Sequence, residues 1–285
     1  MTDNIVISPA LFARYFLKSD ASKKIPTKAP INKGNFHELI IDYIGRERSN
    51  DYDIEMHLTD SIFSRDFLVL LALFKIERSD LSIHSIDGGF SFLATDIRET
   101  LNLTNSGSNS DSIEQSIQRL SEIEFAIVAI SKNEANDDIE LHTGRIVDTF
   151  STRTSSKGMR DRSWFVKLSD EFKLFRKHCE IVKHNMEDLL KCRKSATNIA
   201  IQAHIQTVSH NKNKTYAKKV TTLFKNINSE INSNKWVSDR HYRQKIGALV
   251  KNAARRILNI AYTPPKKLFR LFTSKIAFHK QPASQ

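Results

Sequence analysis

Helix, short strand, helix, polar turn, helix, β-hairpin: the 285-residue sequence traces this order once and then retraces it more loosely. The order predicts an α+β fold of two tandem winged-helix domains. Two further observations agree with it. The sequence is 40% hydrophobic and has 17 Phe, enough to fill cores for two domains of ordinary size. Its charge is also divided, with 15 Lys+Arg against 24 Asp+Glu in residues 1–150 and 29 against 8 in residues 151–285. Halves of opposite charge suit domains with different work. The expected division is an N-terminal helix and linker (1–35), a first winged-helix domain (36–180) and a second (181–285).

Residues 8–18 read as a short helix, with Ser8 as cap, Pro9 in the first position and a stripe of Leu11, Phe12, Tyr15 and Phe16. Residues 19–35, with Lys, Pro and few apolar side chains, read as a linker. Residues 36–44 (FHELIIDYI) have strand character. Residues 60–77 form a strong helix capped by Asp60 or Ser61. Two short apolar runs, 81–86 and 90–93, flank Asp87-Gly88-Gly89 and predict a hairpin. A capped helix over 95–101 precedes a polar loop over 102–110. The helix over 111–124 buries Ile113, Ile117 and Leu120. Strands follow over 125–131, 139–143, 145–150 and 164–168, and the basic segment 151–162 is flexible.

In the second half, residues 170–175 and 186–192 look helical. Residues 195–210 form a helix whose buried side is Ile199, Ala203, Ile205 and Val208. A helix over 215–227 and a turn over 228–237 lead to residues 238–260, an amphipathic helix capped by Ser238. Its apolar stripe is Tyr242, Ile246, Leu249, Val250, Ala253 and Ile257. Its opposite strip runs Arg240, His241, Gln244, Gly247, Ala248, Lys251, Arg255. Long donors stand at the ends of that strip and two of the smallest side chains in its middle, which suits a backbone pressed close to a groove floor. After Pro264-Pro265, residues 268–272 and 275–278 form either a wing or a short helix.

The net charge of +12 points to a polyanionic partner. From Leu189 onward there are 20 basic residues and two acidic ones, Glu230 and Asp239, which favours nucleic acid. No run approaches the roughly 18 apolar residues of a membrane span, and the first residues do not read as a signal peptide. Two cysteines, Cys179 and Cys192, make no disulfide framework, so a cytoplasmic location is expected. No His-x-His metal pair and no phosphate-binding glycine loop occurs. The spacing of His178, Cys179, His184 and Cys192 matches no common zinc module. The expectation is therefore a protein that is not an enzyme, with no cofactor and no metal.

Two phrases carry a resemblance. Residues 95–103 read T-D-I-R-x-x-L-x-L, with Thr95, Asp96, Ile97, Arg98, Leu101 and Leu103. Residues 112–120 read S-I-x-Q-S-I-x-R-L, with Ile113, Ile117, Arg119 and Leu120. Followed by the strand 164–169 and a basic second domain, they resemble the replication initiators of iteron-type plasmids over roughly residues 35–280. The resemblance implies binding to repeats at an origin, local melting, and recruitment of the host initiator and replicative helicase. It also implies a dimer through the first domain that represses the initiator's own promoter, with monomers acting at the origin.

In such a protein Arg240, Gln244 and Lys251 are the expected base-edge contacts, with His241 and Arg243 beside them. Arg255, Lys218, Lys219, Lys266, Lys267 and Arg270 are expected to hold phosphates. In the first domain the helix 111–124 presents Glu114, Gln115, Gln118, Arg119 and Glu122. Mostly acidic, it suits protein contact. A minor DNA contact is expected from Arg119 with Arg153, Lys157, Arg160 and Arg162. About six neutralised phosphates correspond to a log–log salt slope of about −5. The alternatives are a winged-helix transcriptional regulator without origin function and a DNA-processing enzyme such as a nickase.

Overall fold

A computed structural model describes residues 5–18, 26–31, 36–45, 49–79, 83–85, 87–104, 106–132, 139–153, 162–208, 216–219, 244, 247–248, 251, 260–261 and 275–278. The architecture is mixed α/β, and one continuous hydrophobic core runs from Val6 to Ile205.

The core surrounds a helix that is apolar nearly all round, and such a helix must be enclosed. It is helix α2 (Ser64–Glu77), and it buries Phe67 through Phe74 without a break. It begins later than Asp60 or Ser61 because Ile62–Phe63 first pairs in parallel with Leu17–Lys18. Asp60 instead accepts the Ser61 N–H at 2.7 Å, and Ser64 Oγ donates to the Ala196 carbonyl at 2.8 Å.

The N-terminal segment is not a helix from Ser8. Strand β1 (Ile5–Pro9) runs antiparallel to Ile181–Asn185, a strand the periodicity did not reveal. Pro9 has no N–H to give, and the next bond is made by Ala10 N–H to the Glu180 carbonyl at 2.8 Å. Helical backbone starts at Ala10 and widens into the π-helical turn Phe12–Phe16. That turn packs on its own chain. The Phe12 ring stacks on Phe172 with centroids 5.7 Å apart. Arg14 forms a two-pronged ion pair with Glu180 at 2.7 and 2.8 Å.

The expected linker contains the strand Thr27–Ile31, with Ala29 and Ile31 buried and Lys28 and Pro30 exposed. It is the edge of an antiparallel sheet with Tyr52–Leu58 next to it, then Glu124–Ser131, then Ile139–Arg145. An edge strand tolerates Pro30, since no ladder bond beyond it is lost. Residues 36–44 are not a strand. His37–Ile44 forms helix α1, because Phe36, Leu39 and Ile40 reach the core at a spacing of three and four. Burial overrides the β preference of the adjacent isoleucines.

A second antiparallel sheet has the order Val147–Arg153, Ser163–Leu168, Phe90–Leu93, Ile83–His84. Its last two strands form the expected hairpin, turned by Gly88 at φ 75°. Alternation places Phe90, Phe92, Trp164, Val166 and Leu168 inside. The strand Val147–Arg153 takes in the first residues of the segment expected to be flexible, and residues 154–161 lie outside the described set.

Helix α3 (Ala94–Thr100) starts one residue before the expected position and is capped by Asp96, which accepts the Leu93 N–H at 2.8 Å. Helix α4 (Gly107–Glu122) starts four residues before the expected position, taking in the end of the polar loop. Buried Ser110 rewards the extension by accepting from Arg98 Nη1 at 3.0 Å. Ile113, Ile117 and Leu120 are fully buried, as the stripe predicts.

Helix α5 (Asp170–His178) is capped by Ser169, whose Oγ accepts the Phe172 N–H at 3.0 Å. Met186–Lys191 and Ala196–Val208 are helices as expected, and the second packs against Ser64–Glu77. Of the expected helix 215–227, Tyr216–Lys219 is a strand, and residues 220–227 lie outside the described set. Its partner is Lys275–Phe278, which also pairs with Ile260–Ala261. The tail is therefore strand at 275–278, and Ile260 belongs to a strand rather than to the end of a helix. The turn 228–237 and residues 268–272 lie outside the described set.

Candidate nucleic-acid interface

Helix α4 exposes one strip, and its members recur at steps of three and four. They are Gly107, Ser108, Asp111, Gln115, Gln118 and Glu122. None is basic. Arg119 stands beside the strip but turns inward. Its Nε donates to Asp66 Oδ2 at 3.0 Å and its Nη2 donates to Asp66 Oδ1 and to Ser116 Oγ. The Asp66 side chain is 1% exposed. The paired carboxylate raises the Arg119 pKa further, through that hydrogen bond first and then through its charge. A guanidinium held by both prongs has little left for a phosphate.

Arg162 is also engaged within the protein, through one nitrogen. Its Nη1 donates to Asp111 at 3.0 Å and to Glu114 at 2.9 Å. Glu114 also accepts the indole N–H of Trp164 at 2.8 Å. Arg162 thus ties the strand Ser163–Leu168 to α4. Arg153 remains exposed on its strand, while Lys157 and Arg160 lie outside the described residues. Of the minor contacts expected in the first domain, two are therefore braces within the protein.

The Asp66–Arg119 pair gives a test. Removing the cation strands a buried carboxylate, which costs about 3–5 kcal/mol at a fully enclosed site. Because the Arg119 side chain is 41% exposed, water recovers part of this. Arg119→Ala is expected to lose about 2 kcal/mol in chemical denaturation and to keep its salt dependence for duplex DNA.

In the second half the described residues include Gln244, Gly247, Ala248 and Lys251, all with helical backbone. Gln244, Ala248 and Lys251 are exposed and Gly247 is half-buried. Their spacing puts them on one side of the helix, the side expected to meet DNA. Lys218 and Lys219 lie on a strand, opposite Ile276 and Lys275. Arg240, His241, Arg243, Arg255, Lys266, Lys267 and Arg270 lie outside the described residues.

The residues weighed as a metal cluster have packing roles. His184 is buried, meets Gln206 at 2.9 Å and stands nearly perpendicular to the Phe67 ring. Burial pushes the Cys179 thiol up to about 12.

Two cations escaped the sequence reading. Between Ser64–Glu77, α4 and Ala196–Val208 lies a cavity of about 310 Å³ lined by Leu68, Leu103, Ile113 and Ile199. Arg65 and Arg193 stand at it, and Arg193 donates to the Asn102 carbonyl. Burial lowers the Arg65 pKa, followed by the charge of Arg119. Nothing in the local sequence announces this cavity, since its walls come from residues far apart in the chain.

No family model matches the sequence, and no curated protein matches it either. The fold does find likenesses among solved structures. The chain is similar to domains 2 and 3 of RctB. A crystal structure of a selenomethionine derivative of those domains aligns with 96% of this chain and 99% of that one, at 12% identity and a TM-score of 0.55. A second crystal structure of RctB domains 2-3 aligns with 94% and 95%, at 12% identity and a TM-score of 0.52. The likeness is one of fold and extends over nearly the whole of both chains. Among the described residues, no helix is long and apolar enough to cross a membrane.

Proposed function

We propose that the protein is a DNA replication initiator that binds repeated duplex sequences at an origin and is not itself an enzyme. The observation that carries this is the fold likeness, over nearly the whole of this chain, to domains 2 and 3 of RctB, a replication initiator. The charge division agrees with it, since the basic half suits DNA and the acidic half suits protein contact. In this reading the basic residues that follow the core, beyond Val208, form the winged unit that reads DNA, with Gln244 and Lys251 on its outer helical face beside Arg240. Residues 36–180 form a first winged unit from Ser64 to Leu168. Its uncharged-to-acidic α4 strip partners a second copy, the host initiator or the replicative helicase. Dimers repress the promoter and monomers open the origin.

A footprint on the DNA flanking its own coding sequence tests the proposal. Protection of tandem repeats beside an A·T-rich stretch is expected, with a log–log salt slope of about −5. Protection of a lone operator, with no repeats, would instead favour a transcriptional regulator. Nicked product in a strand-cleavage assay with a divalent metal overturns the non-enzymatic part.

A further inference from the structure

A pocket of about 230 Å³ lies where the C-terminal ends of Ser64–Glu77 and α5 meet strand β1. Ile7, Ser8, Pro9 and Ile181 supply a mostly apolar wall, and the cations Arg78, Lys173, Arg176 and Lys177 supply the rest; no carboxylate among the described residues lines it. Two of the cations are fixed. Arg176 pairs with Glu77 at 2.9 Å and lies 4.1 Å from the centroid of the Phe74 ring. Lys173 donates to the Gly88 carbonyl at 3.0 Å and pairs with Asp170 at 3.1 Å. The other two, Arg78 and Lys177, are exposed and have no ion pair among the described residues. Lys183 is exposed on the same face of its strand as Ile181.

The plain explanation is that these cations offset helix C-termini, each worth about half a negative charge. The magnitudes leave a surplus. Five cations face Glu77, Asp170 and two helix ends, so about two positive charges remain uncompensated. The fixed inner pair cannot close around a compact anion. The free outer cations can hold an anion from one side, as a polymer backbone presents it.

We infer that this pocket is a second DNA contact, taking backbone phosphate of duplex flanking the recognised sequence. The inference rests on the DNA-binding reading above and adds a surface to it. Arg78 lies twelve residues along the helix axis from Asp66, about 18 Å at 1.5 Å per residue, so the contact is separate from α4. Phosphate contact carries no sequence information and strengthens binding to any duplex.

The test is the salt dependence of duplex binding by full-length Arg78→Ala/Lys177→Ala, on a repeat-bearing duplex and on an unrelated one. Each neutralised phosphate contributes about 0.9 to the log–log slope, so the slope is expected to flatten by about 2 on both duplexes. Arg78→Gln/Lys177→Gln, which keeps side-chain length, should do the same, and thermal melting of both variants reports on folding. An unchanged slope, with Arg240→Ala/Lys251→Ala still weakening the repeat duplex, overturns this inference alone. Failure of the wild-type protein to bind any duplex overturns it together with the proposed function. If inorganic phosphate stabilises the wild type but not the double variant, and the duplex slope is unchanged, the pocket takes free anions and the DNA assignment fails.

Discussion

Phe172→Ala is expected to destabilise the protein by about 4 kcal/mol, the usual cost of truncating an enclosed phenylalanine. Phe172 is fully buried, and its ring meets four others. Phe12 lies 5.7 Å away, Phe125 6.1 Å, Phe74 6.2 Å and Phe175 6.2 Å, centroid to centroid. Those rings come from the N-terminal π-helical turn, the strand Glu124–Ser131, the central helix and α5. One truncation therefore loosens four elements, and the rigid walls leave a cavity rather than closing on it. Denaturant titration measures the loss directly. In heat it corresponds to about 10 °C, at roughly 2–4 °C per kcal/mol for chains of this size. A loss below about 1 kcal/mol would mean that the cluster is not the joint described here.

Arg240→Ala/Lys251→Ala is expected to weaken binding to a repeat-bearing duplex by two to four orders of magnitude, since a good base-edge contact is worth about 1–3 kcal/mol. Binding to unrelated duplex should change much less, because phosphate contacts supply it. Lys251 is exposed on helical backbone, with Gln244 and Ala248 exposed on the same side. Wild-type affinity and specificity in the double variant would remove the helix from its assigned role. A bulky residue at Ala248 should produce a similar loss without removing any donor, by holding the backbone away from the groove floor.

The parts of the fold legible in the sequence were those whose pattern is complete within one segment. Ser64–Glu77 and α4 show their periodicity locally, and Ile113, Ile117 and Leu120 are buried as spaced. The misread parts depend on distant partners. Ile5 pairs with Asn185, Thr27 with Leu58, and Tyr216 with Phe278. A short strand with so remote a neighbour has no local signature, and Ser8-Pro9 imitates a helix start closely enough to mislead. The site followed the same rule. Exposure of Gln244, Ala248 and Lys251 follows from amphipathic spacing. That Asp66 claims Arg119 across 53 residues, or that Asp111 and Glu114 claim Arg162, cannot be read from any local pattern.

The pairing of Ile5–Pro9 with Ile181–Asn185 also sets a schedule for folding. On the ribosome the first strand emerges early, and its partner is made some 175 residues later. At roughly 5–20 residues per second, Val6, Phe12 and Phe16 wait about ten seconds or more before their burial can be completed. A strand pair of such long sequence separation also forms late and slowly in refolding. The nascent chain is thus most open to aggregation, and most in need of a chaperone, through the very residues that later seal its core.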